Sequence, residues 1–196
     1  MSEFYSSNEP LTQAEMETNA RYIYNYLGSR GWSTNAIAGM LGNMQHESTI
    51  NPGRWQGGNM GVGPAFGLVQ WDPFSKYIDW CTENGLDPEH MDSALKRIEY
   101  ELENGIQYYA TDTYPLSFSE YKTSNKSPSY LAWAFIYNYE RPANKNQPHR
   151  AESAEAWYTF LTGEPAPSDP SDPTPTPNKD KKKGMSLLLM AIATRK

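Results

Sequence analysis

Cysteine is nearly absent from this chain. The single Cys81 among 196 residues excludes an internal disulfide and a cysteine-based zinc knuckle. Histidine is scarce too: His46, His90 and His149 are the only three, none follows residue 163, and His46 beside Glu47 does not have the spacing of a metal pair. Positive charge is in deficit, with 17 Lys and Arg against 23 Asp and Glu, a net charge of -6. That balance excludes the basic stripe of a nucleic-acid binder and strong attraction to anionic surfaces. The apolar run in the chain, Met185 to Ala193, is far shorter than the ~20 residues a membrane-spanning helix needs. The opening MSEFYSSNEPLTQ carries neither a basic region nor an apolar core, so no signal peptide is expected.

What the chain does have is aromatic rings. Tyr (14) and Trp (6) lift the aromatic content to 13%, although hydrophobic residues make up only 38%. Rings with an apolar face and a polar tip suit a groove for a flat, hydroxylated ligand, while any one ring taken alone reads first as core. The length allows one domain of about 160 residues plus an appendage.

The periodicity is helical throughout. Thr12 and Glu15 form a capping box ahead of Met16, Ala20, Ile23 and Leu27, and Gly28 ends that helix. Ser33 caps a second helix with Ile37, Met40, Leu41 and Met44 inward, ending near Glu47; Gly39 and Gly42 within it cost helix stability and permit close packing. Residues 51–71 are glycine-rich and predict an irregular loop with a small hairpin around Phe66–Gln70. Asp72-Pro73 reads as an N-cap with proline at the first helical position, followed by Phe74, Tyr77, Ile78 and a core Cys81. Further helices are predicted over Met91–Leu102, after Ser117, from Pro128 through Leu131, Phe135 and Tyr139, and from Pro148 to Leu161. From Glu164 the composition changes. EPAPSDPSDPTPTPNKDKKK, residues 164–183, predicts a stiff extended linker, and GMSLLLMAIATRK, residues 184–196, a short apolar tail that docks into a partner.

The stretch GMLGNMQHESTINPGRWQ, residues 39–56, places Glu47 at the end of an apolar helix before a Gly- and Trp-containing loop. Cleaving a glycosidic bond needs an acid that is still protonated near neutral pH. A glutamate half-buried at a helix C-terminus, where the dipole disfavours negative charge, meets that need. The plainer reading of a helix-terminal glutamate is a solvated end. A second carboxylate, normally required for hydrolysis, is not evident. Asp72 is the nearest candidate, but the cap already accounts for it.

Glu47-Ser48 followed by Gly67-Leu68-Val69-Gln70 resembles the lysozyme-like glycosidases, which include goose-type lysozymes and lytic transglycosylases. With FGLVQW and YERPANKNQPHR added, the chain resembles the phage tail-tip lysozymes over roughly residues 10–163. These are glycosidase domains of virion-associated lysins from short-tailed phages of Gram-positive hosts. The resemblance implies an α+β, predominantly α-helical lysozyme-like domain with a small irregular β region, and no metal or cofactor. It implies Glu47 as general acid and Gln70 as a groove glutamine that bonds a sugar or holds the acid. Trp71, Trp55, Tyr139 and Tyr137 are the other expected substrate contacts, with Tyr139 donating towards Glu47; Tyr137 and Tyr139 also fit plain core. Glu140 and Arg141 are expected to form a structural ion pair.

The function implied is hydrolysis of the MurNAc–GlcNAc bond of peptidoglycan by a virion-borne tail-tip protein during DNA entry, with residues 184–196 contacting tail proteins. A lytic transglycosylase, a non-catalytic wall-binding or structural tail protein, and an endolysin are the alternatives. The relatives carry a second, metallopeptidase domain, and this sequence holds no His/Asp zinc set to match it.

Overall fold

The computed structural model describes residues 3–168. The expected linker beyond Ser168 and the apolar tail at 184–196 lie outside the described residues. Among the described residues seven α-helices carry the fold: α1 (Gln13–Gly28), α2 (Thr34–Ser48), α3 (Ser75–Glu83), α4 (Met91–Glu103), α5 (Phe118–Thr123), α6 (Pro128–Phe135) and α7 (Pro148–Thr162). A 3-10 turn occupies Gln56–Gly58, and a π-helical turn, Ile136–Glu140, continues α6.

The start signals act as the sequence indicates. Thr12 and Glu15 close a capping box on α1, Ser117 and Glu120 close another on α5, and Ser33 and Ser127 cap α2 and α6. Gly163, at φ 77°, ends α7. The exception is α3. It begins at Ser75 with Phe74 at the cap position and no side-chain cap bond, so Asp72-Pro73 is not its N-cap. That peptide is cis and belongs to a turn ahead of the helix.

Helix α2 is the axis of the molecule, buried from Asn35 to Met44, and α1, α6 and α7 pack around it. Its two glycines set the spacing. A Cβ at Gly42 would lie 2.4 Å from the Arg150 carbonyl oxygen of α7, and one at Gly39 would lie 2.8 Å from the Leu131 Cβ of α6. Only residues without a side chain allow both helices so close.

The expected hairpin is reduced to isolated antiparallel bridges, Trp55 with Phe66 and Phe66 with Trp71, and no extended strand occurs among the described residues. The rings fill the core more than any groove. Trp32, Trp55, Trp71, Trp133 and Trp157 are buried, as are Tyr77, Tyr121 and Tyr139. Cys81 is buried as expected. No helix among the described residues is long and apolar enough to cross a membrane.

Candidate active site

Helix α2 ends in Glu47 and Ser48. The buried Ser48 hydroxyl donates to the Leu68 carbonyl at 2.8 Å and accepts from the Asn51 backbone N–H at 3.1 Å. One buried hydroxyl thus ties the helix end to the Gly67–Gln70 turn, which is the physical link between those two sequence blocks. Glu47 keeps 20% of its side-chain exposure, and its Oε1 lies 2.5 Å from Arg150 Nη2. Arg150, in the first turn of α7, is oriented from two more sides. Its Nη1 donates to the buried Asn43 Oδ1 at 3.1 Å and its Nε to Gln147 Oε1 at 2.7 Å.

Glu140 completes the group. It closes the π-helical turn after α6, and its Oε1 is enclosed with no hydrogen-bond partner, although the residue as a whole is only half-buried. Burial drives this carboxyl well above the ordinary carboxylate range. The Glu47 charge pushes it further the same way, Arg150 opposes, and Glu101 adds to the rise. The arrangement is therefore two interacting carboxyls and one guanidinium, brought together by the ends of α2 and α6 and the start of α7.

A cleft of about 280 Å³ opens beside Glu140. Val69, Gln70, Asp72 and Lys76 line it from one chain segment, and Gln107, Glu140 and Arg141 from the others. The described residues hold five non-glycine residues at positive φ: Thr49, Ile50, Gln70, Gln107 and Arg141. The last three line the cleft, and the first two directly follow Glu47-Ser48. Such conformations persist only where the surroundings over-determine them, and here they concentrate around one site.

The sequence matches the phage tail lysozyme family over residues 18–161. The chain belongs to that family. A curated relative, "Morphogenesis protein 1" of Bacillus phage B103, is 53% identical over 164 residues, covering 82% of this chain and 44% of that protein. This tail-lysozyme chain thus spans less than half the length of that relative.

The expected site residues separate on this framework. Glu47 lies in the carboxyl group just described, and Gln70 and Asp72 line the cleft. Gln70 uses its amide nitrogen locally, donating to the carbonyls of Arg54 and Gly67, both at 2.9 Å. Trp71 also lines the cleft, although the residue is only 4% exposed and its ring stacks on Tyr77. Trp55 packs against Phe66 and Phe74 in the core and does not line the cleft. Tyr137 packs against Tyr114 and Trp133, also away from the cleft. Tyr139 does not donate towards Glu47; its hydroxyl donates to Glu101 Oε2 at 2.5 Å. Arg141 does not pair with Glu140 as expected. Its guanidinium lies over the exposed Tyr109 ring, 4.6 Å from the centroid. Among the described residues no cluster of three or more His, Cys, Asp or Glu side chains is arranged to hold a metal ion.

Three buried or half-buried charged side chains around the site escaped the sequence reading. Glu140 and Arg150 both stand in YERPANKNQPHR, but adjacency to Arg141 gave Glu140 a false partner, and Arg150 had no sequence neighbour to mark it. Glu101 sits four residues after Arg97 and imitates a surface ion pair.

Proposed function

We propose that this chain is a glycoside hydrolase, a lysozyme that cleaves the MurNAc–GlcNAc β-1,4 bond of peptidoglycan. The observation that carries the reading is the Glu47–Glu140 pair under Arg150. Burial and the neighbouring Glu47 charge both raise the Glu140 carboxyl, so the proton is held there. Glu47, the partly exposed member, relays that proton from Glu140 to the glycosidic oxygen as the bond from C1 breaks. Arg150 then compensates the two negative charges left behind. Water adds to C1, and its proton returns to the pair. Glu140 thereby supplies the second acidic group that the sequence lacked, and this favours hydrolysis over transglycosylation.

The biological setting follows the family. We place the enzyme in the virion, at the phage tail tip, opening the wall of a Gram-positive host locally during DNA entry. The relative from a Bacillus phage, a protein named for morphogenesis, supports that placement. Residues 184–196 are the proposed contact with tail proteins.

Mass spectrometry of peptidoglycan digests tests the chemistry. Reducing muramic acid ends with wild type, absent with Glu47→Gln and with Glu140→Gln, are expected. Anhydro-muramic ends would make the protein a transglycosylase. No products from wild type would leave a wall-binding or structural tail protein. Detection of the protein in purified virions is expected for a tail lysozyme, and its absence there would indicate an endolysin.

A further inference from the structure

Glu101 is used by none of the steps above, yet three side chains donate hydrogen bonds to its carboxylate. It projects from α4, is 1% exposed, and accepts from three different segments. Trp71 Nε1 donates to Oε1 at 2.9 Å, Arg97 Nε donates to the same oxygen at 2.9 Å, and Tyr139 Oη donates to Oε2 at 2.5 Å. Trp71 follows Gln70 in one wall of the cleft, and Tyr139 precedes Glu140 in another. The carboxylate therefore joins both walls through hydrogen bonds.

We infer that Glu101 is a positioning residue, a buried clamp that fixes the Gln70–Trp71 wall against the Tyr139–Glu140 wall and so sets where the Glu140 carboxyl stands. This rests on the hydrolase reading above. The geometry has the form of a supporting shell, in which second-layer hydrogen bonds hold a reactive group in place. Trp71 is locked from its other face by stacking on Tyr77, with centroids 4.2 Å apart, and Tyr139 by stacking on Phe135, with centroids 4.4 Å apart. Neither ring is free to shift while Glu101 holds its polar end. The clamp also has an electrostatic consequence. The charged groups acting on Glu140 are Glu47 from α2, Arg150 from α7 and Glu101 from α4, and Glu101 raises the Glu140 pKa.

Glu101→Gln keeps the shape and the acceptor oxygen for Trp71 and Arg97 but removes the charge. Tyr139→Phe keeps the charge but cuts one bond of the clamp. With soluble peptidoglycan fragments, kcat is expected to fall about ten- to a hundredfold in both variants while KM stays within about twofold, because the reacting group is misplaced and binding is not. In Glu101→Gln alone, the basic limb of the kcat–pH profile moves to lower pH, and so does the Glu140 carboxyl titration followed by carbon-13 NMR. A folded Glu101→Gln protein with wild-type kcat and an unmoved Glu140 titration overturns the inference. Should wild type cut no peptidoglycan while the Glu140 titration still moves in Glu101→Gln, the hydrolase reading falls and the tie between Glu101 and Glu140 stands.

Discussion

Arg150 Nη2 lies 2.5 Å from Glu47 Oε1, while Nη1 of the same guanidinium donates to Asn43 in the middle of α2. One side chain from α7 therefore fixes the carboxyl at the end of α2 and reads the buried register of that helix. A planar fork does this; an ammonium group does not. Arg150→Met should cost about 2–3 kcal/mol, somewhat less than the loss of a fully buried pair, because Glu47 retains some solvent. Arg150 also lowers the Glu140 pKa, so its removal should move the basic limb of activity to higher pH. Thermal melts and a pH–rate profile check both effects, with Arg150→Lys falling between wild type and Met.

The buried Glu140 carboxyl makes stability fall with pH. Its folded-state pKa is raised, so the folded protein binds this proton more tightly than the unfolded chain does. The contribution is complete below the ordinary carboxylate value of about 4.3 and is lost as pH rises towards the folded value. Glu140→Gln cannot ionise and escapes that loss. Its melting temperature should match wild type near pH 4 and exceed it at pH 8. Activity should drop by about 10²–10⁴-fold in the same variant. A stabilised but inactive protein is the outcome expected when a residue is kept for chemistry and not for folding. Calorimetry of the two proteins across pH 4–8 measures the difference directly.

The helix framework was legible because its signals are local. Caps at Thr12, Ser33 and Ser117, prolines at 128 and 148, and the 3.6-residue apolar spacing each act within a turn or two. Asp72-Pro73 failed for a reason of the same kind. The residues that end a loop as a turn are also the residues that start a helix, and here the turn won. Glu47 and Gln70 were singled out through their motif, and the fold places them beside Arg150 and in the cleft respectively. Glu101, Glu140 and Arg150 were not, because what places them comes from far along the chain: Trp71 and Tyr139 for Glu101, Asn43 for Arg150, and the Glu47 charge for Glu140. The aromatic groove was overestimated since Tyr and Trp serve a core as well as a sugar, and composition does not separate the two uses.

Three glycines in helices should respond to alanine in opposite directions. At Gly42 the new methyl group would meet backbone, the Arg150 carbonyl at 2.4 Å and the Ala154 nitrogen at 2.8 Å, and backbone does not rotate away. Gly42→Ala should cost about 2–4 kcal/mol and displace Arg150 from Glu47, lowering activity as well. At Gly39 the obstacle is the Leu131 Cβ at 2.8 Å, and a similar cost in stability is expected, with less effect on the site. Gly28, near the end of α1, has nothing within 4 Å, so Gly28→Ala should gain about 0.5 kcal/mol through the unfolded chain. Urea titrations of the three variants give the signs.

Ser48 offers the sharpest separation of positioning from chemistry. Its hydroxyl does not touch the cleft, but it donates to Leu68 and accepts from the Asn51 backbone N–H. Ser48→Ala leaves that buried N–H without its acceptor and frees the Gly67–Gln70 turn from the end of α2. The stability cost should be about 1–3 kcal/mol, or roughly 2–8 °C in melting temperature. Since Gln70 rides on the freed turn and Glu47 on the freed helix end, the distance between groove and acid loses its restraint. Turnover should therefore fall at temperatures well below the melt, where the fraction folded is unchanged. Ser48→Thr retains the hydroxyl, and because it still bonds Leu68 it should recover more activity than stability. Equal loss in Ser48→Ala and Ser48→Thr would instead point to crowding at this buried position.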